Sequence, residues 1–346
     1  MELPLPATPL HGHAFATLGR LTHEGFVSGE TIAEALGISR ATVWQAVRQL
    51  EALGLEIYKV RRQGYRLARP YDALDTAAVT RALGAAAPFF RVQTVSACAS
   101  TNSEILRLAE GGGSGVAQVL ATELQTAGRG RRGRAWVSGL GTSLTFSVLR
   151  QFEGGIAALS GLSLAVGLAV ARALDELGAQ GVALKWPNDV LLDRPGGPAK
   201  LGGILIELAG DALGPTRAVI GIGLNVRLPE AARGAAQGTG GLPVSDLAEA
   251  GLAVARNRLL ATLLRHLHGV LEVFAREGFG ALRGEWNSHH AYQGREVMMI
   301  NEGKVERSGV VEGVDATGAL NLATARGVEK AVSGELSLRP AQAASA

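Results

Sequence analysis

Apolar positions recur at helical spacing three times near the start of the chain. Phe15, Leu18 and Leu21 predict an inward face on a helix over 14–24. Ile32, Ala35 and Leu36 predict another over 29–36, ended by Gly37. Ser39 is placed to cap a third helix, with Val43, Val47, Leu50 and Leu53 inside and Arg40, Gln45, Arg48 and Gln49 outside. After Gly54 the period shortens to two. Ile57 and Lys59, then Tyr65 and Leu67, joined by Arg61, Arg62, Gln63 and Gly64, predict a small hairpin. Helix, turn, helix and hairpin together read as a winged helix-turn-helix over residues 1–68.

The remaining pattern alternates between strands and helices. RPYDALD at 69–75 reads as a linker whose Asp75 caps a short helix, followed by a strand over 89–95. Ser100 to Glu104 opens a helix, with a capping box expected between Thr101 and Glu104. Strands are expected at 116–122 and 142–149, a largely apolar helix at 159–177, and strands at 182–185 and 190–192 around the polar turn of KWPND. Pro187 keeps Trp186 out of the helical region. The turn itself needs only Pro187, Asn188 and Asp189, so Lys185 and Trp186 at its lip point to binding. Lys200 heads the strand KLGGILIELAG, and RAVIGIGLNV at 217–226 is a further strand with alternate glycines. A Gly- and Ala-rich loop at 228–242, placed to order over a ligand, precedes helices at 256–276 and 279–286. From 294 to 339 short strands and turn signals predict a small all-β barrel.

Composition narrows the class. With 346 residues, 47% hydrophobic, and a mean hydropathy of +0.17, the chain can fill several cores. No eighteen-residue apolar run, export leader or lipidation signal is evident in it, which argues against a membrane partner. Cys98 is the single cysteine, excluding an internal disulfide and a cysteine-based zinc site and pointing to a cytoplasmic location. His266, His268, His289 and His290 lack carboxylates at ligand spacing, so surface positions and no protein metal site are expected. The net charge of +3 is uneven: seven cations and two anions between Arg40 and Arg69 make that segment +5 and the remainder −2. This local charge on the third helix and wing predicts DNA binding, with Arg40, Gln45 and Arg48 facing a major groove and Arg61 and Arg62 meeting phosphate. One such module buries little DNA surface, so a dimer on a two-part site is expected.

The most distinctive segment is QTAGRGRRGRAW at 125–136, where Arg129, Arg131, Arg132 and Arg134 alternate with glycines. Guanidinium forks and closely approaching backbone N–H groups suit an anionic ligand, and without one the loop should be mobile. GRGRRG also fits the spacing of a dinucleotide fingerprint, but a turn and a strand follow it where that motif needs a helix. Ser100, Thr101 and Asn102, at a helix start, either satisfy the helix end or also hold a polar ligand head.

STN at 100–102, GRGRRGR at 128–134, KWPND at 185–189, KLGGILIE at 200–207 and GIGLNV at 221–226, in this order, resemble the biotin protein ligases. With a winged helix in front, the chain resembles the bifunctional biotin ligases and biotin operon repressors of bacteria, from about Leu18 to Arg339. The resemblance implies an α/β multidomain protein: an N-terminal winged helix-turn-helix (1–68), a central mixed α/β ligase domain (69–290) and a C-terminal SH3-like β-barrel (291–346). It implies that biotin and ATP, with Mg²⁺, form biotinyl-5′-adenylate, and that a lysine of the biotin carboxyl carrier protein of acetyl-CoA carboxylase then takes the biotinyl group. By the same resemblance Arg131, Lys200 and Asp189 are catalytic; Asp189 either binds metal or helps the lysine lose its proton. Ser100, Thr101, Asn102, Gln125, Arg129, Gly130, Arg131 and Lys200 contact biotin. Arg129, Arg131, Arg134, Trp136, Lys200 and Asn225 contact the nucleotide. Operator DNA is bound by a homodimer in the adenylate-bound state, and the arginine loop closes when adenylate forms. The 228–242 loop departs from the family in having no aromatic residue to cover adenine. A lipoate-type ligase, a biotin-sensing factor without transferase activity, and a plain DNA-binding protein are the competing readings; the arginine-loop sequence and the winged helix weigh against the first, intact Arg131 and Lys200 against the second, and KWPND and KLGGILIE against the third.

Overall fold

In the computed structural model, residues 12–108, 116–210, 214–229, 242–301, 304–332 and 337–340 are described. Three helices open the chain: α1 (Gly12–Leu18), α2 (Gly29–Leu36) and α3 (Arg40–Ala52). Ser28 and Ser39 cap α2 and α3 by accepting from the N–H three residues on, and Gly37 ends α2 at φ 64°. Two expectations need correction. The first helix stops at Leu18 although Leu21 is still buried, and Ala33 rather than Ala35 joins Ile32 in the core. Ala33 directly follows Ile32, so both lie within the arc that faces α3, whereas Ala35 has rotated out to solvent. The wing is the antiparallel pair β1 (Ile57–Val60) and β2 (Gly64–Leu67), in the register Ile57 with Leu67 and Lys59 with Tyr65.

Next come α4 (Thr76–Leu83), capped by Asp75, then β3 (Phe90–Cys98), α5 (Thr101–Leu108), β4 (Ala117–Gln125) and β5 (Ser143–Phe152). After α6 (Leu162–Glu176) the chain forms β6 (Val182–Lys185), β7 (Asp189–Leu192), β8 (Ala199–Gly210) and β9 (Thr216–Asn225). These strands make a seven-stranded sheet in the order β3-β4-β5-β9-β8-β7-β6, parallel between β3 and β4 and antiparallel elsewhere. Strand periodicity splits its side chains between two layers. Val119, Phe146, Ile220 and Ile222 pack with α4, α6 and α7 (Arg256–Glu277), while Leu120, Leu149 and Val219 meet Ile105 of α5. The segment Ile156–Glu176 is long and apolar enough to cross a membrane, a feature the composition reading passed over; here α6 is one of the most buried helices, packed on α7 and the sheet.

After α8 (Arg283–Ser288), strands β10 (Glu296–Asn301), β11 (Lys304–Val314), β12 (Leu320–Thr324), β13 (Gly327–Ala331) and β14 (Ser337–Pro340) form an antiparallel sheet in the order β13-β12-β11-β10-β14. It shares the core of the large sheet through Val297, Val311 and Leu320. The two are also joined by an isolated parallel bridge of Leu184 to His290. The winged helix sits on the large sheet as well. Leu124 and Leu140 belong to its core, and Leu140 N–H donates to Leu53 O at 3.0 Å.

Candidate active site

A cavity of about 200 Å³ opens on the α5 face of the large sheet. Register explains why it lies there. Lys185, Asp189, Gly203, Gly223, Thr145 and Thr122 form one cross-strand row, and Leu205, Gly221 and Ser147 lie in the next. The glycines in those rows leave room above the strands. A Cβ on Gly221 would sit 2.3 Å from Asn102 Oδ1, and one on Gly223 2.5 Å from the Trp136 ring. The alternate glycines of GIGLN therefore let two pocket walls rest on backbone.

The floor is neutral and built on linked hydrogen bonds. Thr101 N–H and its hydroxyl donate to Gln125 Oε1 at 2.8 and 3.2 Å. Ser147 Oγ lies 2.7 Å from Thr101 Oγ1 and 2.6 Å from Asn102 Oδ1. The capping box expected at Thr101 and Glu104 is not formed: Thr101 turns to Gln125 and Ser147, and Glu104 pairs with Arg107 at 2.6 Å. The start of α5 explains the difference: Thr101 is already the first helical residue, and Glu104 N–H donates to Ser100 O, so Thr101 is not at the N-cap position that a box with Glu104 needs. Ser147 was missed by the sequence reading, although two serines and two threonines at 142–147 in an otherwise apolar strand were a visible signal.

The upper part is cationic. Lys200 Nζ lies 2.7 Å from Asp189 Oδ1, and Lys185 Nζ 3.3 Å from Oδ2 of the same carboxylate. Burial works to raise the Asp189 pKa, but the two lysines more than offset it and hold the group down at about 2. Arg131 Nη1 donates to Asn188 Oδ1 at 3.1 Å; burial and the neighbouring Arg132 and Arg134 lower its pKa while Asp189 opposes them. The arginine loop is a small folded unit: Arg129 bridges to Ala135, Gly130 N–H donates to Arg134 O at 2.7 Å, and Trp136 N–H to Gly128 O at 2.9 Å. Arg132 adopts φ 59° within it. Arg129 itself reaches back to Ser103 and Glu207.

All the expected ligase-site residues, from Ser100 to Asn225, border this one cavity. Asn225 donates to Ser245 O at 3.0 Å, tying the end of β9 to the chain beyond the 228–242 loop, of which 230–241 lie outside the described residues. Trp186 lines both this cavity and the one beside it, is 0% exposed and donates its indole N–H to Gly318 O, so it also seats the C-terminal sheet under the KWPND turn. A second cavity, of about 270 Å³, continues from the first past Arg131 and Asn188 to Gly318 and Ala319.

His290 is also a correction: it is 5% exposed, not a surface residue. Its ring lies tilted 4.8 Å from that of Trp286, neither ring nitrogen has a hydrogen-bond partner among the described residues, and burial lowers its pKa to about 4. An unfolded histidine titrates near 6.5. Between that pH and about 4 the unfolded chain binds a proton that the folded chain refuses, so stability falls as the pH drops through this window. The expected loss is up to roughly 3 kcal/mol. Thermal midpoints against pH should show His290→Phe with a shallower decline than the parent; equal slopes would remove His290 as the cause.

On the winged helix, Arg40, Gln45, Arg48, Arg61 and Arg62 are all exposed. The sequence reading left out Trp44, which is 47% exposed on α3 with the Arg48 guanidinium 5.0 Å over its ring. Arg66 is stacked 5.1 Å from both the Phe26 and Tyr58 rings, fixing the base of the wing.

Residues 15–66 match the family model described as an HTH domain, and 113–225 that of the biotin/lipoate A/B protein ligase family. The chain is 37% identical over 328 residues to the bifunctional ligase/repressor BirA of Salmonella typhimurium, covering 94% of this chain and 98% of that one. Over 232 residues it is 41% identical to the biotin–[acetyl-CoA-carboxylase] ligase of Paracoccus denitrificans, covering 64% of this chain and 90% of the relative. Among solved structures, the biotin protein ligase of Aquifex aeolicus in complex with biotin and ATP matches with a TM-score of 0.59 and 31% identity, over 72% of this chain and 99% of that one.

Proposed function

The chain belongs to the BirA family of bifunctional ligase/repressors, and from that premise we propose that it activates biotin with ATP, passes it to a carrier lysine and represses transcription through its winged helix. One observation carries the ligase reading: a single cavity joins a neutral hydrogen-bonding floor to a cationic upper wall. A cyclic urea needs donors and acceptors, which Ser100, Thr101, Asn102 and Gln125 provide. The acid group at the far end needs cations. A biotin carboxylate oxygen attacks the α-phosphorus, pyrophosphate leaves, and the mutual repulsion of these anions is lowered by Lys200 and Arg131, with Arg129 and Arg134 behind them. Trp136 and Asn225 flank the nucleotide.

Among the described residues lining the cavity, Asp189 is the one carboxylate, and Lys185 and Lys200 occupy it. This donor set fits Mg²⁺ held chiefly by the triphosphate rather than by a protein cage, and the ion, when bound, neutralises phosphate charge. Asp189, held at about 2, is a weak proton acceptor at neutral pH; its work is to position two ammonium groups. In the second step the carrier amine attacks the carbonyl of the mixed anhydride, AMP leaves and the amine loses a proton. The second cavity is the route by which that lysine arrives. Incubation with biotin, ATP and a purified biotin carboxyl carrier domain should add one biotinyl group to the carrier by intact mass. An unmodified carrier at equimolar enzyme would overturn the ligase reading.

The reaction belongs to the cytoplasm, and the domains divide near 68/69 and 290/291. The arginine loop closes over the adenylate: tryptic cleavage after Arg131 or Arg132 should slow when biotin and ATP are both present, and unchanged rates would count against closure. Leu140, at the loop's exit, is bonded to Leu53 at the end of α3, so loop position reaches the DNA-binding module directly and favours a dimeric, operator-binding form. On a duplex selected from random-sequence DNA, Arg48→Ala should cost about 1–3 kcal/mol and spare scrambled DNA, while Arg61→Ala weakens both alike. Fluorescence anisotropy on the two duplexes separates these outcomes.

A further inference from the structure

Glu207 lies on β8 beyond the row that carries the reacting groups, and the mechanism above leaves it without a part. Its carboxylate touches two different pieces of the site at once. Asn102 Nδ2 donates to Glu207 Oε2 at 2.8 Å, and Arg129 Nη2 lies 3.1 Å from Oε1 and 3.3 Å from Oε2. Asn102 belongs to the floor and Arg129 to the arginine loop. Among the described residues, this side chain bridges floor and loop from outside the cavity lining.

A carboxylate can only accept hydrogen bonds, so Glu207, together with Leu205 O to which Asn102 Nδ2 also donates at 3.3 Å, holds the Asn102 amide with its nitrogen toward β8 and its oxygen toward Ser147. Ser147 has a single proton and two acceptors within reach, Thr101 Oγ1 at 2.7 Å and Asn102 Oδ1 at 2.6 Å. Thr101 in turn bonds Gln125. The polarity of the whole floor, from Asn102 through Ser147 to Thr101 and Gln125, is therefore set from the β8 end, where Glu207 is the charged and nearer of the two acceptors. Asn102 is 3% exposed, so losing the charged acceptor there weakens the hold on its amide with little solvent to replace it.

We propose that Glu207 is a positioning residue that fixes the donor and acceptor pattern of the floor and at the same time tethers the arginine loop through Arg129. The inference rests on the ligase reading for the identity of the ligand, but the tether does not. The two halves differ in strength. Glu207 and Arg129 are both partly exposed, so the tether is weak and screened by salt. The bond to buried Asn102 is charge-assisted and counts for more. A weak tether suits a loop that must let go when a phosphate arrives.

The test uses the full chain with Glu207→Gln and Glu207→Asp. Equilibrium dialysis with labelled biotin alone is expected to show Glu207→Gln binding about tenfold more weakly, with the KM for ATP in pyrophosphate exchange within twofold of the parent. Ligand-free Glu207→Gln should also lose its 129–134 segment to trypsin about threefold faster at low salt, the difference vanishing at high salt. Glu207→Asp, which keeps the charge, should recover most of both effects. Unchanged biotin affinity with unchanged cleavage in Glu207→Gln overturns the proposal, and so does a biotin loss that Glu207→Asp fails to restore. A parent chain that binds no biotin at all condemns the ligase reading instead, and the ligand-free cleavage rates still decide the tether.

Discussion

Lys200→Ala is expected to slow biotin-dependent ATP–pyrophosphate exchange by about 10²–10³, the size found when one preorganised donor to a developing charge is removed. The geometry behind the expectation is specific. Lys200 Nζ is held 2.7 Å from Asp189, packed directly above Gly203 of the same strand. The lysine is thus fixed before any ligand arrives, and little reorganisation is needed as the carboxylate and α-phosphate approach each other. Arg131→Ala should lose less, since Arg131 shares its stretch of loop with Arg132 and Arg134. Lys200→Arg should restore only part of the rate, because a planar fork cannot occupy the space of a compact ammonium group. Biotin binding in the absence of ATP should weaken less than exchange in all three, since the hydrogen-bonding floor stays in place and only the contact to the carboxylate end is altered. Full exchange activity in the Arg131→Ala, Lys200→Ala double variant would falsify the view that clustered cations drive the first step.

Much of this site was legible because its pieces are short motifs that carry their own turns. GRGRRG, KWPND and GIGLN each combine a chemical group with the glycine or proline that lets the backbone present it, so the residue types reveal both. Helix ends were legible for the same local reason: Ser39, Asp75 and Gly37 act within a few residues of themselves. Register was not. Nothing local tells that Asn102 will meet Glu207, 105 residues away, or that Ser147 lies between Thr101 and Asn102. The burial of Trp186 was not legible either: its neighbours in sequence are polar, and only the C-terminal sheet, through Gly318, shows why an indole is buried there. His290 was misread for a similar reason: a histidine with no ligand partner in the sequence looks superficial until β6 and Trp286 close around it.

The segment at 69–75 is the plainest case of a sequence reading that captured the composition and missed the tertiary structure. RPYDALD reads as a linker, yet Tyr71 hydroxyl and Leu74 N–H both donate to Glu123 at 2.6 Å, from 52 and 49 residues away. Arg256 Nη1 lies 2.8 Å from the same carboxylate, its Nε donates to Asp72 O at 3.0 Å, and its guanidinium lies 5.5 Å over the Tyr71 ring. Burial, with the Glu123 charge added, pushes the Tyr71 pKa far up and keeps the phenol a donor. Glu123 is two residues before Gln125, and Tyr71 also packs under Gly141, so this buried knot fastens the DNA-binding module to the strand that carries the ligand floor.

Arg256→Ala is therefore expected to destabilise the chain by about 3–5 kcal/mol, the cost of leaving a buried charge without its partner. A well-packed Glu123→Gln, Arg256→Met pair should recover most of that loss, since desolvation of two charges already cancels much of what their attraction contributes. Denaturant unfolding followed at two probes, Trp44 on the winged helix and Trp286 in α8, distinguishes a global effect from a local one. The knot joins both parts, so the single variant should lower the midpoint at both probes, and the winged-helix transition should separate and come first. A loss under about 1 kcal/mol, or two transitions that remain coincident, would mean that the module is held to the sheet by its apolar contacts at Leu124 and Leu140 alone.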